Sequence, residues 1–379
     1  MNRDAARRLV QELADAVNAH DVARIMNAYA DNAIAVSPVT GPLSGLDAIR
    51  QWWERIFALF PDWTVSVSDV LVDGDRVAFF GSAAATDRNG WFGQPPTGER
   101  FDYRSIIIID LVDGKIVRDE RIYDLSGVLE RLEKTRLEKE MRMAADVQRI
   151  LLPRTERSTD FCDIVADSIP SRAIGGDFFE SIPLPPDAVA IALGDVAGKG
   201  APAALLGAMI QGMLIAEVRA EATASRLVAS INSLLTRRTP NNRFCTFVYG
   251  TLTRDGRFTY VNAGHNPPLL VTREGVRRLP PSGPVLGVFG EAVFVDQSIE
   301  LRAGDIILFF SDGVTEARNG SDEEFGEERL IDFMRSAGRK PAVEILDDIL
   351  RRVRDFAATP ADDMTIVVMM YRSQSEERS

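Results

Sequence analysis

The sequence predicts a two-domain α+β protein: a small cone of curved sheet closed by helices, a helical linker, and a larger domain of two stacked sheets flanked by helices. Over residues 1–124, apolar positions recur first at helical spacing and then along strand-like runs separated by Asp-Gly turns. Between Val128 and Leu152 the chain has neither Gly nor Pro and is rich in Glu, Lys, Arg, Leu and Met. Residues 154–379 alternate sets of strands with pairs of helices, which suits stacked sheets with helices outside. A length of 379 residues also exceeds the usual span of one domain.

The first domain is expected over 1–124. Leu9, Leu13 and Val17 form the apolar face of a first helix. A second starts near Asp21, with Val22, Ile25, Met26 and Tyr29 on one side. After a Pro/Gly-containing turn at 37–45, a third helix over 46–60 carries Ile49, Trp52, Trp53, Ile56 and Phe57. Strands follow over 63–72, 76–85, 101–112 and 115–123, with Asp-Gly hairpin signals at 73–74 and 113–114. His20 falls at the helix–helix turn and reads as a cap or surface residue.

The linker is expected over 125–153. Val128, Leu132, Thr135, Lys139, Met143, Val147 and Ile150 recur at spacings of three and four, apolar at both ends and polar in the middle. A lone helix this polar is marginal in water, so pairing with a second copy is expected, a solvated spacer being the alternative. Pro153 ends the helix. The larger domain spans 154–373, and the polar end, 374–379, reads as a disordered tail.

Net charge is −12, with acid excess in both halves, which argues against non-specific nucleic-acid binding and against anionic membrane surfaces. Cys162 and Cys245 have no metal-ligand spacing and read as small buried hydrophobes. The amphipathic N-terminus lacks the apolar core of a signal peptide, and no run reaches membrane-spanning length. A cytoplasmic protein is expected.

The larger domain is organised around Gly194-Asp195-Val196-Ala197-Gly198-Lys199-Gly200, which follows the apolar run 188–193 and precedes an Ala-rich helix. Such a strand–turn–helix junction holds a carboxylate rigidly beside accessible backbone. Three further acidic turns adjoin apolar runs: Gly175-Gly176-Asp177, Ser311-Asp312-Gly313 and Asp362-Asp363-Met364-Thr365. Any one such Asp is ordinarily a turn or cap residue. Carboxylates at several strand ends point instead to hard divalent cations, which take oxygen ligands.

Two family resemblances follow from longer segments. HDVARIMNAYADNAIAVSP, GLDAIRQWWERIFALFPDW and IVRDERIYDLSGVLERL resemble the SnoaL-like branch of the ketosteroid-isomerase-like fold. That resemblance implies a pocket between helices and sheet, for which Trp53, Asp102, Tyr103 and Tyr123 are candidates. The same aromatic residues would otherwise simply fill the cone. No placed acid/base pair is evident, so ligand binding or dimerisation is expected rather than catalysis.

AADVQRILLP, SRAIGGDFFE, LGDVAGKGAPAAL, FCTFVYGTL, VNAGHNPPLL, GPVLGV, LFFSDGVTEA, FGEERL and ADDMTIVVM occur in order across 144–369. Together they resemble the SpoIIE/RsbU-type serine phosphatases, a bacterial branch of the metal-dependent (PPM) protein phosphatases. The resemblance implies an αββα sandwich, two Mn²⁺ or Mg²⁺ ions, and hydrolysis of phosphoserine or phosphothreonine. The implied substrate is a separate phosphoprotein, often an anti-anti-sigma factor of the STAS type in a partner-switching pathway.

By motif, Asp177, Asp195, Asp312 and Asp362 are the implied catalytic metal ligands, with the carbonyl of Val196 as a further donor. Asp363 is the substitute for Asp362. Arg172 and Lys199 are candidates to meet substrate phosphate, Arg172 the better for its forked donors. Glu316 is either a partner of metal-site waters or a surface residue, and His265 is expected in a structural hydrogen bond. Ala197 stands where eukaryotic relatives carry a proposed general-acid His, and Glu180 where many relatives have Asp. The expected protein is thus a cytoplasmic, dimeric phosphatase regulated by a ligand or partner of its N-terminal domain. The alternatives are a non-catalytic scaffold, or a sensor using a phosphatase fold.

Overall fold

The computed structural model describes residues 3–91, 93–219, 223–239, 243–337, 340–357 and 362–372, so the tail expected at 374–379 lies outside the described residues. The chain divides into two compact units, 1–140 and 141–379.

In the first unit, α1 (Arg3–Asn18) buries Ala6, Val10, Ala14 and Val17, one face of a 3.6-residue period. Helix α2 (Val22–Asn27) is capped by Asp21, whose carboxylate accepts from the Arg24 N–H at 3.0 Å. Strands β1 (Tyr29–Ser37) and β2 (Gly41–Ser44) follow, then α3 (Leu46–Leu59), which buries Ile49, Trp53 and Ile56. Strands β3 (Thr64–Asp73), β4 (Arg76–Thr86), β5 (Arg100–Val112) and β6 (Lys115–Tyr123) complete a sheet of order β2-β1-β6-β5-β4-β3. Here Tyr29 departs from expectation. It opens a strand rather than extending the second helix, and Ala33, Ala35 and Ser37 continue its buried face. Strand β1 runs parallel to β6, pairing Ile34 with Arg118 and Val36 with Glu120. The N-terminal unit therefore adds a parallel strand pair to the antiparallel hairpins that the Asp-Gly turns predict. Tertiary pairing with a strand some eighty residues later decides it.

Helix α4 (Leu125–Leu151) begins where Asp124 accepts from the Gly127 N–H at 2.9 Å. Its early residues Val128 and Leu132 are buried in the first unit's core, and Arg131 donates to the Asp102 carbonyl at 3.0 Å.

The second unit holds two sheets. Strands β7 (Thr155–Ser158), β8 (Cys162–Ile169), β9 (Phe178–Leu184) and β10 (Ala188–Val196) precede α5 (Ala201–Glu217) and α6 (Ala224–Arg238). Next come β11 (Cys245–Thr253), β12 (Arg257–Ala263), β13 (Leu269–Thr272), β14 (Gly275–Arg278), β15 (Gln297–Glu300) and β16 (Ile306–Phe310). The short α7 (Asp312–Thr315), then α8 (Glu327–Ala337), α9 (Ala342–Phe356) and β17 (Met364–Tyr371) finish the unit. The sheet orders are β15-β12-β11-β10-β9 and β14-β13-β16-β17-β8-β7.

Alternation builds the layers. Val189, Ile191 and Leu193 of β10 join Ile307 and Phe309 of β16 and Val367 and Met369 of β17 in the core between the sheets. Ala190 and Ala192 face the other way, with α5 and α6. Ile306, Leu308 and Phe310 pack with α8 and α9. Both faces of these strands are covered, so they read as continuous apolar runs. The helices close an αββα sandwich.

Candidate active site

Strand ends bring the acidic turns together. Asp195 lies near the end of β10, beside Thr246 of β11, and Gly194 pairs with Phe178 of β9, so Asp177 arrives next to Asp195. In the other sheet Phe310 pairs with Ile366. Asp312, just after β16, therefore meets Asp362 and Asp363, just before β17.

Asp177 is buried and accepts from Thr365 Oγ1 at 2.6 Å. Burial first, and then Asp195, raises its carboxyl well above the usual range. Burial and the charges of Asp312, Asp362 and Asp363 push Asp195 up to about 7. Asp312 is raised by burial and by Asp362. Lys199 Nζ sits 2.8 Å from Asp362 Oδ2, a cation already standing against this anionic cluster. Like charges crowded this way repel, and an oxygen-only donor set of high negative charge suits hard divalent cations. The residues present fit such ions, although among the described residues no three acidic, His or Cys groups yet close on one coordination point.

Asp363 does something different from its neighbour. Its Oδ1 accepts from the Ser171 N–H (2.8 Å) and Oγ (3.1 Å), and its Oδ2 from the Gly176 N–H (2.7 Å). It clamps the turn that carries Asp177. A Cβ on Gly175 would lie 2.2 Å from Asp363 Oδ2, which is why the turn needs glycine there. Ser311 ties the two strands, donating to the Asp363 carbonyl at 3.0 Å and accepting from the Thr365 N–H at 2.9 Å.

The turn has a second holder that the motifs did not single out. Gln148 of α4 donates to the Gly175 carbonyl at 2.8 Å and accepts from the Gly175 N–H at 3.0 Å. Gln211 of α5 donates to the Leu151 carbonyl (3.1 Å) and to Glu180 (2.6 Å), so Glu180 is engaged outside the carboxylate cluster. Val196 is buried, and a Cβ on Gly176 would lie 2.8 Å from its carbonyl oxygen. Arg172 and Glu316 are exposed; the Glu316 carboxyl is nudged up by slight burial and by Asp312. His265 is buried, its Nδ1 2.8 Å from Thr246 Oγ1, and burial lowers it to about 4. Both cysteines are buried and unpaired.

In the first unit a cavity of about 80 Å³ is lined by Trp52, Trp53, Trp63, Tyr103, Arg121 and Tyr123, among others. Asp102 is not among them. Strand alternation turns it away from the face that carries Phe101 and Tyr103, and its side chain is exposed. A buried group not anticipated from sequence lies here: Arg121 pairs with Asp119 at 2.7 Å, and the Tyr29 hydroxyl donates to Asp119 at 2.5 Å. Burial and Asp119 push the Tyr29 phenol upward. His20 Nε2 donates to the Trp63 carbonyl (2.9 Å), and its ring stacks on Phe57.

Comparison with known proteins agrees with this fold. Residues 185–372 match the family profile of Stage II sporulation protein E (SpoIIE), and residues 10–119 match the SnoaL-like domain profile. Phosphoserine phosphatase RsbU of Bacillus subtilis is 30% identical over 238 residues, covering 62% of this chain and 70% of RsbU. The RsbU and RsbW domains of Rv1364c from Mycobacterium tuberculosis superpose with a TM-score of 0.51 at 28% identity, covering 59% of this chain and 62% of that one. The chain thus spans less than two thirds of that solved relative. The SiaA-PP2C domain of Pseudomonas aeruginosa, 17% identical, gives a TM-score of 0.54 over 63% of this chain and 98% of its own, a likeness of fold. The chain belongs to the SpoIIE/RsbU-type branch of the PPM serine/threonine protein phosphatases, with a SnoaL-like domain at residues 10–119.

Proposed function

We propose that the 141–379 unit hydrolyses phosphoserine or phosphothreonine on a separate protein of the STAS anti-anti-sigma type, in the cytoplasm, within a partner-switching pathway. The carrying observation is the convergence of Asp177, Asp195, Asp312 and Asp362 from four distant turns, with raised carboxyls at three of them. These carboxylates and the Val196 carbonyl would hold two Mn²⁺ or Mg²⁺ ions. Such ions supply Lewis-acid polarisation of the phosphate ester and a more acidic attacking water. The protein's own part is to hold the carboxylates in fixed positions. Thr365 and Asp363 orient the Asp177 turn. Lys199, on Asp362, and the exposed Arg172 are the cations available to an incoming phosphate. No helix among the described residues is long and apolar enough to cross a membrane.

The N-terminal unit, in this reading, regulates through a small ligand or a partner. The domain limits in this proposal are 1–124, 125–153 and 154–373. Two features support a dimeric, coiled-coil linker that acts on the site. Met143, Val147 and Ile150 form a stripe on α4 that is 62%, 58% and 78% exposed, the pattern of a helix face awaiting a partner. The same helix holds the Asp177 turn through Gln148. A shift in α4 would therefore change how well that turn is ordered, and an effector acts only through its different affinity for the two arrangements.

The test is hydrolysis of p-nitrophenyl phosphate and of a serine-phosphorylated STAS protein with Mn²⁺, in wild type and Asp195→Asn. Turnover that needs Mn²⁺ and falls at least a hundredfold in Asp195→Asn is expected. No turnover, together with no Mn²⁺ binding by titration, would leave the scaffold or sensor reading standing.

A further inference from the structure

The loop between β14 and β15 presents apolar side chains to solvent from a backbone that is tied down at several points. Leu286 and Phe294 anchor it in the core that packs with α5 and α6, and Leu286 bridges Cys245 at the start of β11. Asn232 of α6, itself buried, grips the loop twice: its Nδ2 donates to the Phe289 carbonyl at 2.8 Å, and its Oδ1 accepts from the Gly287 N–H at 2.9 Å. Beside these anchors Val288, Phe289 and Val293 are 44%, 60% and 76% exposed, and Phe244, just before β11, is 39% exposed. Single apolar residues scattered on a surface are ordinary. Several gathered on one fixed loop and the strand end against it mark an interaction site.

This patch adjoins the catalytic turn. The Phe244 carbonyl accepts from the N–H of Ala197, two residues beyond Asp195, at 2.9 Å. A Cβ on Gly198 would lie 2.9 Å from a guanidinium nitrogen of Arg243, so that side chain lies against the turn 194–200. The last turn of α6 approaches the loop as well, through Leu235 at Gly287 and Thr236 at Gly290, and it carries the exposed Arg238. Among the described residues neither Arg238 nor Arg243 has an acidic partner, although the whole chain carries a net charge of −12. Unpaired cations at the rim of an apolar patch steer an acidic partner and fix its register, while the apolar centre supplies affinity. A phosphorylated side chain of a protein substrate brings its neighbours onto the surface around the carboxylates, and this patch borders that surface.

We infer that Phe244, Val288, Phe289 and Val293, rimmed by Arg238 and Arg243, form a docking surface for the phosphoprotein substrate, which offers an apolar face flanked by carboxylates beside its phosphorylated residue. The inference rests on the reading of a separate phosphoprotein as substrate, and the assays let the two fail separately. Docking outside the reaction centre strengthens the bound complex, so it raises kcat/KM for a folded protein chiefly through KM and leaves small esters untouched.

With Mn²⁺ and the full-length enzyme, kcat and KM are measured for a serine-phosphorylated STAS protein, for the peptide spanning its phosphoserine, and for p-nitrophenyl phosphate. Wild type should favour the folded phosphoprotein over the peptide by roughly tenfold or more in kcat/KM. Phe289→Ser and Val293→Ser, both at exposed positions, should lower kcat/KM for the phosphoprotein roughly tenfold through KM, with the peptide and p-nitrophenyl phosphate within about twofold of wild type. Arg243→Gln should lower the phosphoprotein value several-fold and flatten its fall with added salt. Wild-type kcat/KM for the phosphoprotein in both serine variants would overturn the docking surface and leave the substrate reading intact. Hydrolysis of p-nitrophenyl phosphate without hydrolysis of the phosphoprotein by wild type would overturn the substrate reading, and the docking assignment with it. A parallel fall for all three substrates would make the loop a support of the reaction centre instead. A changed sedimentation coefficient of the Phe289→Ser protein alone, with phosphoprotein kinetics unaltered, would give the patch to a second copy of the chain.

Discussion

Asp362 and Asp363 are adjacent carboxylates whose surroundings assign them different work. Asp362 meets Lys199 at the open end of the cluster, while both oxygens of Asp363 are taken by N–H and hydroxyl donors of the 171–176 turn. Asp362→Asn should therefore abolish Mn²⁺-dependent turnover. Asp363→Asn keeps an acceptor and should cost about tenfold or less, whereas Asp363→Ala strands three donors and should destabilise by about 2–4 kcal/mol. Mn²⁺ titration of the three variants checks this, and a silent Asp362→Asn would reverse the two roles. His265 gives a pH prediction. Burial holds it near 4, against about 6.5 when unfolded, so the unfolded chain takes up a proton that the folded one refuses. Stability is then intact above the unfolded value and is lost as pH falls from about 6.5 toward 4. Between pH 7 and 5 the loss should be on the order of 2 kcal/mol. Urea unfolding of His265→Gln should show a flatter slope in this window, and a slope equal to wild type would dismiss His265 as the cause. The GGDF, GDV, SDG and DDM motifs named these aspartates from sequence. The division between Asp362 and Asp363 was not legible there, because it depends on which carboxylate faces a backbone 187 residues away.

At the level of elements, α4 carries the most consequential contact. Gln148 makes two hydrogen bonds to the backbone of Gly175 in the Asp177 turn, and both vanish in Gln148→Leu, which keeps helix propensity and approximate size. The half-saturating Mn²⁺ concentration should rise about tenfold or more, and excess Mn²⁺ should restore much of the rate. That rescue separates a positioning role from general misfolding, and an unchanged metal dependence would remove α4 from control of the turn. Most elements were readable from local pattern: the Gly/Pro-free run gave the helix, and the apolar runs of β10, β16 and β17 gave buried strands. Strand β1 was not. Its residues Tyr29, Ala33 and Ala35 continue the preceding helix acceptably in isolation, and only pairing with β6 settles them as a strand. The four-residue strand β7 and the single turn of α7 are too short for periodicity to show.

For the molecule as a whole, metal binding should appear as stability. Mn²⁺ at about a hundred times its dissociation constant adds roughly 2.7 kcal/mol to the unit that binds it. Scanning calorimetry should show a transition that rises with Mn²⁺ and, in Asp195→Asn, no longer does; a rise that survives the substitution would place the ion elsewhere. Deleting residues 1–124 should change turnover, metal affinity or oligomeric state, and no change in all three would end the regulatory reading of the N-terminal unit. The sequence by itself determined the two-domain α+β architecture, the sandwich layers and the identity of the acidic turns. These follow from periodicity and from short motifs whose meaning is contained in neighbouring residues. Only the tertiary structure decided that Asp363 clamps while Asp362 faces the cluster, that Gln148 grips the Asp177 turn, and that Asp102 faces away from the cavity. Each depends on partners far apart in the chain, and hydrogen-bond satisfaction and charge compensation are properties of the folded neighbourhood that no local pattern encodes.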